Sequence, residues 1–177
     1  VSNDVKSLAP GDGVLAAFPT LQGKLAALCR IYNTGEELLL ELDVINREKI
    51  FKNLSRFVPA GEFFVTDASE ELALISLQGP HAAALLESLT ARAPEDAEFK
   101  ISTQEIAGTK LLAASHRRCG EVGFDLFVEV DAAANVKRAI LDHGKEFGAR
   151  EVGDAAFEVA RIEAGVPREG VDAGEEY

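Results

Sequence analysis

The stretch Leu21-Gln22-Gly23-Lys24-Leu25-Ala26-Ala27-Leu28, running on through Cys29-Arg30-Ile31-Tyr32, decides how this chain folds. Gln22-Gly23 reads as a turn, and Lys24 to Tyr32 as a strand whose inner face carries only apolar side chains. Asn33-Thr34-Gly35-Glu36 then supplies a hairpin turn, with Gly35 free to take positive φ, and Glu37 to Val44 returns as a second strand. On the other side, Pro19 to Gly23 connects back to a strand over Val14 to Phe18. Two short connections therefore set three antiparallel strands side by side.

Working outward, Ser2-Asn3-Asp4 caps a short helical turn and Pro10-Gly11-Asp12-Gly13 marks a turn. A helix begins near Ile45, with Ile50, Leu54 and Phe57 recurring at spacings of four and three as one apolar stripe. Pro59-Ala60-Gly61 ends it. Phe63 to Asp67 and Leu72 to Leu77 read as strands around the Ala68–Glu71 turn. Pro80 then opens a helix from His81 to about Leu89.

After a loop over Ala93 to Ala97 comes a second strand-rich block. Ile101 to Ile106, Lys110 to Ser115 and Gly123 to Val130 predict a meander. A helix capped by Asp131 follows, with Val136, Ile140 and Leu141 inward. Asp154 caps a last helix carrying Phe157, Val159, Ala160 and Ile162, stopped by Gly165-Val166-Pro167. Sheets with covering helices, rather than repeated βαβ units, predict an α+β protein of two antiparallel, helix-covered sheets. The break is expected near Ala91 to Glu98, giving segments 1–92 and 93–177, with strands open to sharing between them.

The chain has 177 residues, 47% of them hydrophobic, enough interior to fold without metals or disulfides. Its 18 basic and 30 acidic residues give a net charge of −12, a field that repels phosphate backbones and argues against a nucleic-acid partner. No apolar run approaches the roughly 20 residues that span a bilayer, so no membrane partner is expected. Cys29 and Cys119 are too few for a disulfide framework, which points to a reducing compartment. That compartment is the cytoplasm, or an organelle matrix after removal of a targeting segment. Both ends read as cut from a longer chain.

Candidate chemistry is sparse. Asp43 closes a strand before a helix, where it reads first as a helix-cap or turn aspartate. Asp125 alternates with Phe124, so it faces away from the core, toward solvent or a cleft. Lys24 is a strand-end lysine able to reach an anion, and Glu163 is a helix glutamate expected to pair with Arg161 or Arg168. His81, His116 and His143 show no ligand spacing, so no metal site is expected. Cys119, in a polar turn after His116-Arg117-Arg118, is the more reactive thiol, with surface placement expected for it and for His116.

The strings Ser2-Asn3-Asp4-Val5, Leu77-Gln78-Gly79-Pro80, Gly120-Glu121-Val122-Gly123-Phe124-Asp125 and Arg161-Ile162-Glu163-Ala164-Gly165-Val166-Pro167 occur in one order, along with Gln22-Gly23-Lys24. Together they resemble the superfamily of glycine-cleavage T-proteins (aminomethyltransferases) and YgfZ-type folate-binding proteins. The resemblance implies two joined α+β domains, one ferredoxin-like, followed by a small barrel, with tetrahydrofolate as ligand. It implies folate contacts at Asp43, Val44 and Asp125: Asp43 stands where T-proteins have an asparagine near the pterin, and Asp125 where they have a substrate-binding glutamate.

T-proteins carry a catalytic aspartate in an Asp-Asp pair at the positions held here by Ala26 and Ala27, and an arginine at the position of Phe157. Alanine can neither hydrogen-bond nor carry charge, so no catalytic residue is expected. The resemblance then implies a YgfZ-like, non-catalytic tetrahydrofolate-binding factor that supports iron–sulfur client proteins. Its rivals are a true folate-dependent aminomethyltransferase and an interaction module that has lost the pocket. The Lys-Gly-Cys-Tyr segment that marks the YgfZ branch would fall beyond Tyr177.

Overall fold

The computed structural model describes residues 1–90, 92 and 95–174. Among the described residues two sheets form, both antiparallel throughout. The first contains β1 (Gly13–Pro19), β2 (Leu25–Asn33) and β3 (Leu38–Leu42), with β2 in the centre. The second runs β4 (Leu72–Gln78), β7 (Gly123–Glu129), β6 (Thr109–Ser115), β5 (Ile101–Ile106) across its width. Among the described residues the α-helices are α1 (Arg47–Ser55), α2 (Ala82–Thr90), α3 (Val130–His143) and α4 (Asp154–Glu163). The expected α+β class of two antiparallel, helix-covered sheets is therefore what the chain adopts.

The chain forms two compact units, and the division does not follow 1–92 and 93–177. The first unit joins residues 1–69 to 167–177, and the second is 70–166. β4 explains the difference: it pairs along its whole length with β7, from Leu72–Glu129 to Gln78–Gly123. A strand belongs with the sheet that satisfies its backbone, so β4 and α2 go with the later strands. The loop expected over Ala93 to Ala97 includes Ala93 and Pro94, which lie outside the described residues, as do Ala91 and the terminal Glu175 to Tyr177.

In the first unit, alternate residues of β2 (Ala27, Cys29 and Ile31) are buried with Ala16, Phe18 and Ile50. α1 contributes Ile50 and Leu54, as its periodicity requires. Phe57 does not join them, because the helix ends at Ser55 and leaves its ring exposed. No strand forms over Phe63 to Asp67, and Phe64 is 92% exposed. The local alternation there has no partner strand to complete it.

In the second unit, Phe124, Leu126 and Val128 point one way from β7, into a core with Leu85 and Leu86 of α2 and Val136 and Ile140 of α3. Burying these side chains stabilises the unit by roughly 1.5–3 kcal/mol each. Asp131 lies in the first turn of α3 rather than at its cap, a position held by Glu129. Likewise Gly153, not Asp154, caps α4. On α4, Val159 and Ile162 are exposed, Phe157 and Ala160 are half-buried, and Arg161 is buried.

Candidate functional site

The second unit gathers three of the four strings around two glycines. Gln78 stands opposite Gly123 in the β4–β7 register. A Cβ on Gly123 would lie 2.0 Å from Gln78 Oε1, so only glycine leaves room for that amide. Placed there, Gln78 Nε2 donates to Ser76 Oγ and to the His116 carbonyl, both at 3.0 Å. Its Oε1 accepts the Arg118 N–H at 3.0 Å. Gly120, with φ +79, brings the turn against Ala164 from the last string, whose Cβ would sit 3.0 Å from an added Cβ.

This framework presents Asp125. As its alternation predicts, Asp125 faces away from Phe124 and the core. It is nonetheless fully buried, paired across the sheet with Ser76 and Ala114. Ser76 Oγ donates to Oδ1 at 2.8 Å. The Arg118 guanidinium grips both oxygens, Nε at 2.8 and 3.0 Å and Nη2 at 2.8 Å. A bidentate arginine fork is the strongest neutralising partner a buried carboxylate can have. Asp125 therefore spends its acceptor capacity on Arg118 and Ser76.

The first unit builds a different corner. β3 leaves the sheet after Leu42, which faces Cys29. Asp43 turns the chain into a 3-10 turn over Val44–Asn46, its Oδ1 accepting the Ile45 N–H at 3.1 Å. The cap reading of Asp43 is thus met, and its side chain is half-buried. Val44 and Ile45 beside it are largely exposed, at 75% and 63%, whereas Asn46 is buried.

Glu169, which sequence reasoning does not single out, completes this corner. Its two carboxylate oxygens each lie 3.1 Å from the Leu28 N–H. The Asn46 side chain also donates to it. Burial, then the nearby Asp43 carboxylate, raises its affinity for a proton against the opposing pull of these donors and Lys49. Lys49 Nζ donates to the Ala26 carbonyl at 3.1 Å. The signal for Glu169 is faint in the sequence, since Pro167-Arg168-Glu169-Gly170 reads only as a turn.

The other candidates take structural places. Ala27 is wholly buried in the core, and Ala26 is half-buried on the opposite face of β2. Lys24 is exposed at the strand end. Arg161 pairs with Glu158 and donates to the Val166 carbonyl at 3.0 Å, so exposed Glu163 is not its partner. Phe157 is half-buried on α4. His116 is not at the surface. It is 6% exposed, with Nδ1 2.8 Å from Glu98 and its ring stacked on Phe99 at 5.6 Å. The Cys119 thiol is held up by burial, opposed by Arg118, and so is not activated. Among the described residues, no group of three or more His, Cys, Asp or Glu side chains is placed to hold a metal. Among them too, no helix is long and apolar enough to cross a membrane.

Two α+β units with these sheets define a known kind of scaffold. The fold resembles aminomethyltransferase T of the glycine cleavage system from Bartonella henselae, with a TM-score of 0.77 over 96% of this chain and 45% of that one, at 20% identity. A heterotetrameric sarcosine oxidase from Corynebacterium sp. U-96 shares it more loosely, with a TM-score of 0.56 over 81% of this chain and 70% of the other, at 18% identity. The chain belongs to the GCVT N-terminal domain family, whose model matches residues 1–177. It is 31% identical to the aminomethyltransferase of Bacillus subtilis (strain 168) over 94% of its length and 47% of the relative's. It is 32% identical to an aminomethyltransferase of Thermus thermophilus over 99% of its length and 50% of the relative's. The chain thus spans about half the length of the curated relatives it matches.

Proposed function

We propose that this chain is the tetrahydrofolate-binding part of an aminomethyltransferase-type protein, serving folate-dependent transfer of a one-carbon group from an aminomethyl donor. The observation that carries the reading is the family match over residues 1–177, joined to relatives that are named aminomethyltransferases. In this reading Asp43 and Val44 contact the ligand from the corner where β3 leaves the sheet. Asp125 acts one step back, holding the Arg118 guanidinium in place.

A second reading keeps its footing on Ala26, Ala27 and Phe157. It is a folate-binding accessory factor for iron–sulfur proteins, without transfer chemistry. Titration calorimetry of tetrahydrofolate into the full chain, followed by an assay of folate-dependent transfer from an aminomethyl donor, separates the two. Binding with transfer supports the first, binding without transfer supports the second, and no binding refutes both.

A further inference from the structure

We propose that Glu169 supplies the carboxylate that Ala26 and Ala27 lack, holding the positively charged amine of a one-carbon donor beside the β2 edge that it caps. The inference rests on the aminomethyltransferase reading above. Its starting point is the register. Cys29 faces Leu42 in the β2–β3 pairing, so Leu28 would face Asp43 if β3 continued. The chain turns away at Asp43 instead, and the Leu28 N–H has no strand to bond. Glu169 fills that place with both oxygens at 3.1 Å.

Residues two apart on a strand direct their backbone groups to the same edge. Ala26 and Leu28 therefore share the edge that Glu169 occupies, and Lys49 Nζ takes the Ala26 carbonyl there at 3.1 Å. Neither Ala26 nor Ala27 has a side chain long enough to compete for the space. Gly170, with φ +75, permits the close approach, since a Cβ there would sit 2.9 Å from Ile45 Cδ1. The groups facing Glu169 are the Leu28 N–H from β2, Asp43 and Asn46 from the turn, and Lys49 from α1. Two carboxylates against one ammonium leave a negative surplus, which favours a cation. Exposed Val44 and Ile45 give the corner an apolar shoulder for the carbon framework that bears it.

An anchoring role alone would be satisfied by glutamine, whose Oε1 accepts the same N–H; a charge role would not. The test is folate-dependent transfer by the full chain, wild type against Glu169→Gln and Glu169→Asp, with exposed Glu48→Gln as control, read as kcat/KM between pH 5 and 9. Glu169→Gln is expected to fold, bind tetrahydrofolate and lose about 10²-fold or more in kcat/KM. It should also lose an acidic limb whose midpoint in the wild type lies above the ordinary glutamate value of 4.5. Glu169→Asp keeps the charge and is expected to keep the limb, so it decides the matter if the glutamine variant does not fold. An active wild type with unchanged rate and profile in Glu169→Gln overturns this inference and leaves the reading it rests on intact. A wild type that shows no transfer overturns that reading, and Glu169's role with it.

Discussion

Replacing Asp125 by alanine is expected to destabilise the second unit by about 3 kcal/mol, and the reason is the cation left behind. Asp125 is fully buried and receives three arginine contacts of 2.8 to 3.0 Å besides the Ser76 hydroxyl. Removing one partner of such a pair costs about 3–5 kcal/mol, because the other charge stays desolvated. The Arg118 side chain keeps 18% of its exposure, so it reaches some water and the cost falls toward the lower end. With a urea m-value of about 1.5–2 kcal/mol/M, the midpoint should fall by roughly 1.5–2 M. Circular dichroism in urea measures it on wild type, Asp125→Ala, Arg118→Met and the double variant. The double variant should cost clearly less than the two singles added, since it removes the stranded charge along with the pair. A loss under about 1 kcal/mol for Asp125→Ala, or strict additivity, would refute a buried, mutually dependent ion pair.

Gly123→Ala should evict the Gln78 amide from its place and cost about 1–3 kcal/mol for three lost hydrogen bonds, read as a lower melting temperature. Asp67 is held down to about 2 by Ser69 and then by the Arg47 guanidinium. A depressed acid stabilises the fold above its ordinary value of 3.8 and loses that contribution as pH falls toward 2. Stability measured across that window should therefore drop less steeply in Asp67→Asn. The Cys29 thiol is 1% exposed and pushed up to about 12, mainly by burial. Ellman's reagent at pH 8 should leave it unmodified in the folded protein and titrate it fully on unfolding.

The hairpin around Gly35, the β5–β6–β7 meander and the inward stripes of α1 and α3 are legible in the sequence because period and turn chemistry agree there. Phe63 to Asp67 alternates as well as any strand, but alternation cannot supply a neighbour to bond with. On α4 the apolar residues alone do not say which side is buried, and Arg161 takes the buried side through its pairing with Glu158 and Val166. Alternation puts Asp125 on the correct face of β7, yet nothing in the spacing says that Arg118, seven residues earlier, closes on it. Glu169 is invisible for the plainest reason. Its partner, the Leu28 N–H, lies 141 residues away, and only the topology brings them together.

That separation has a consequence during synthesis. The first unit contributes residues 1–69 and then waits for 167–177, with the whole second unit made in between. At about 5–20 residues per second, the ribosome takes on the order of ten seconds to reach Pro167. Throughout that interval the nascent three-stranded sheet exposes the Leu28 edge that Glu169 later caps. An unpaired strand edge is a template for pairing with the wrong chain. The vectorial order of translation thus makes a later-made segment the guard of an earlier-made sheet.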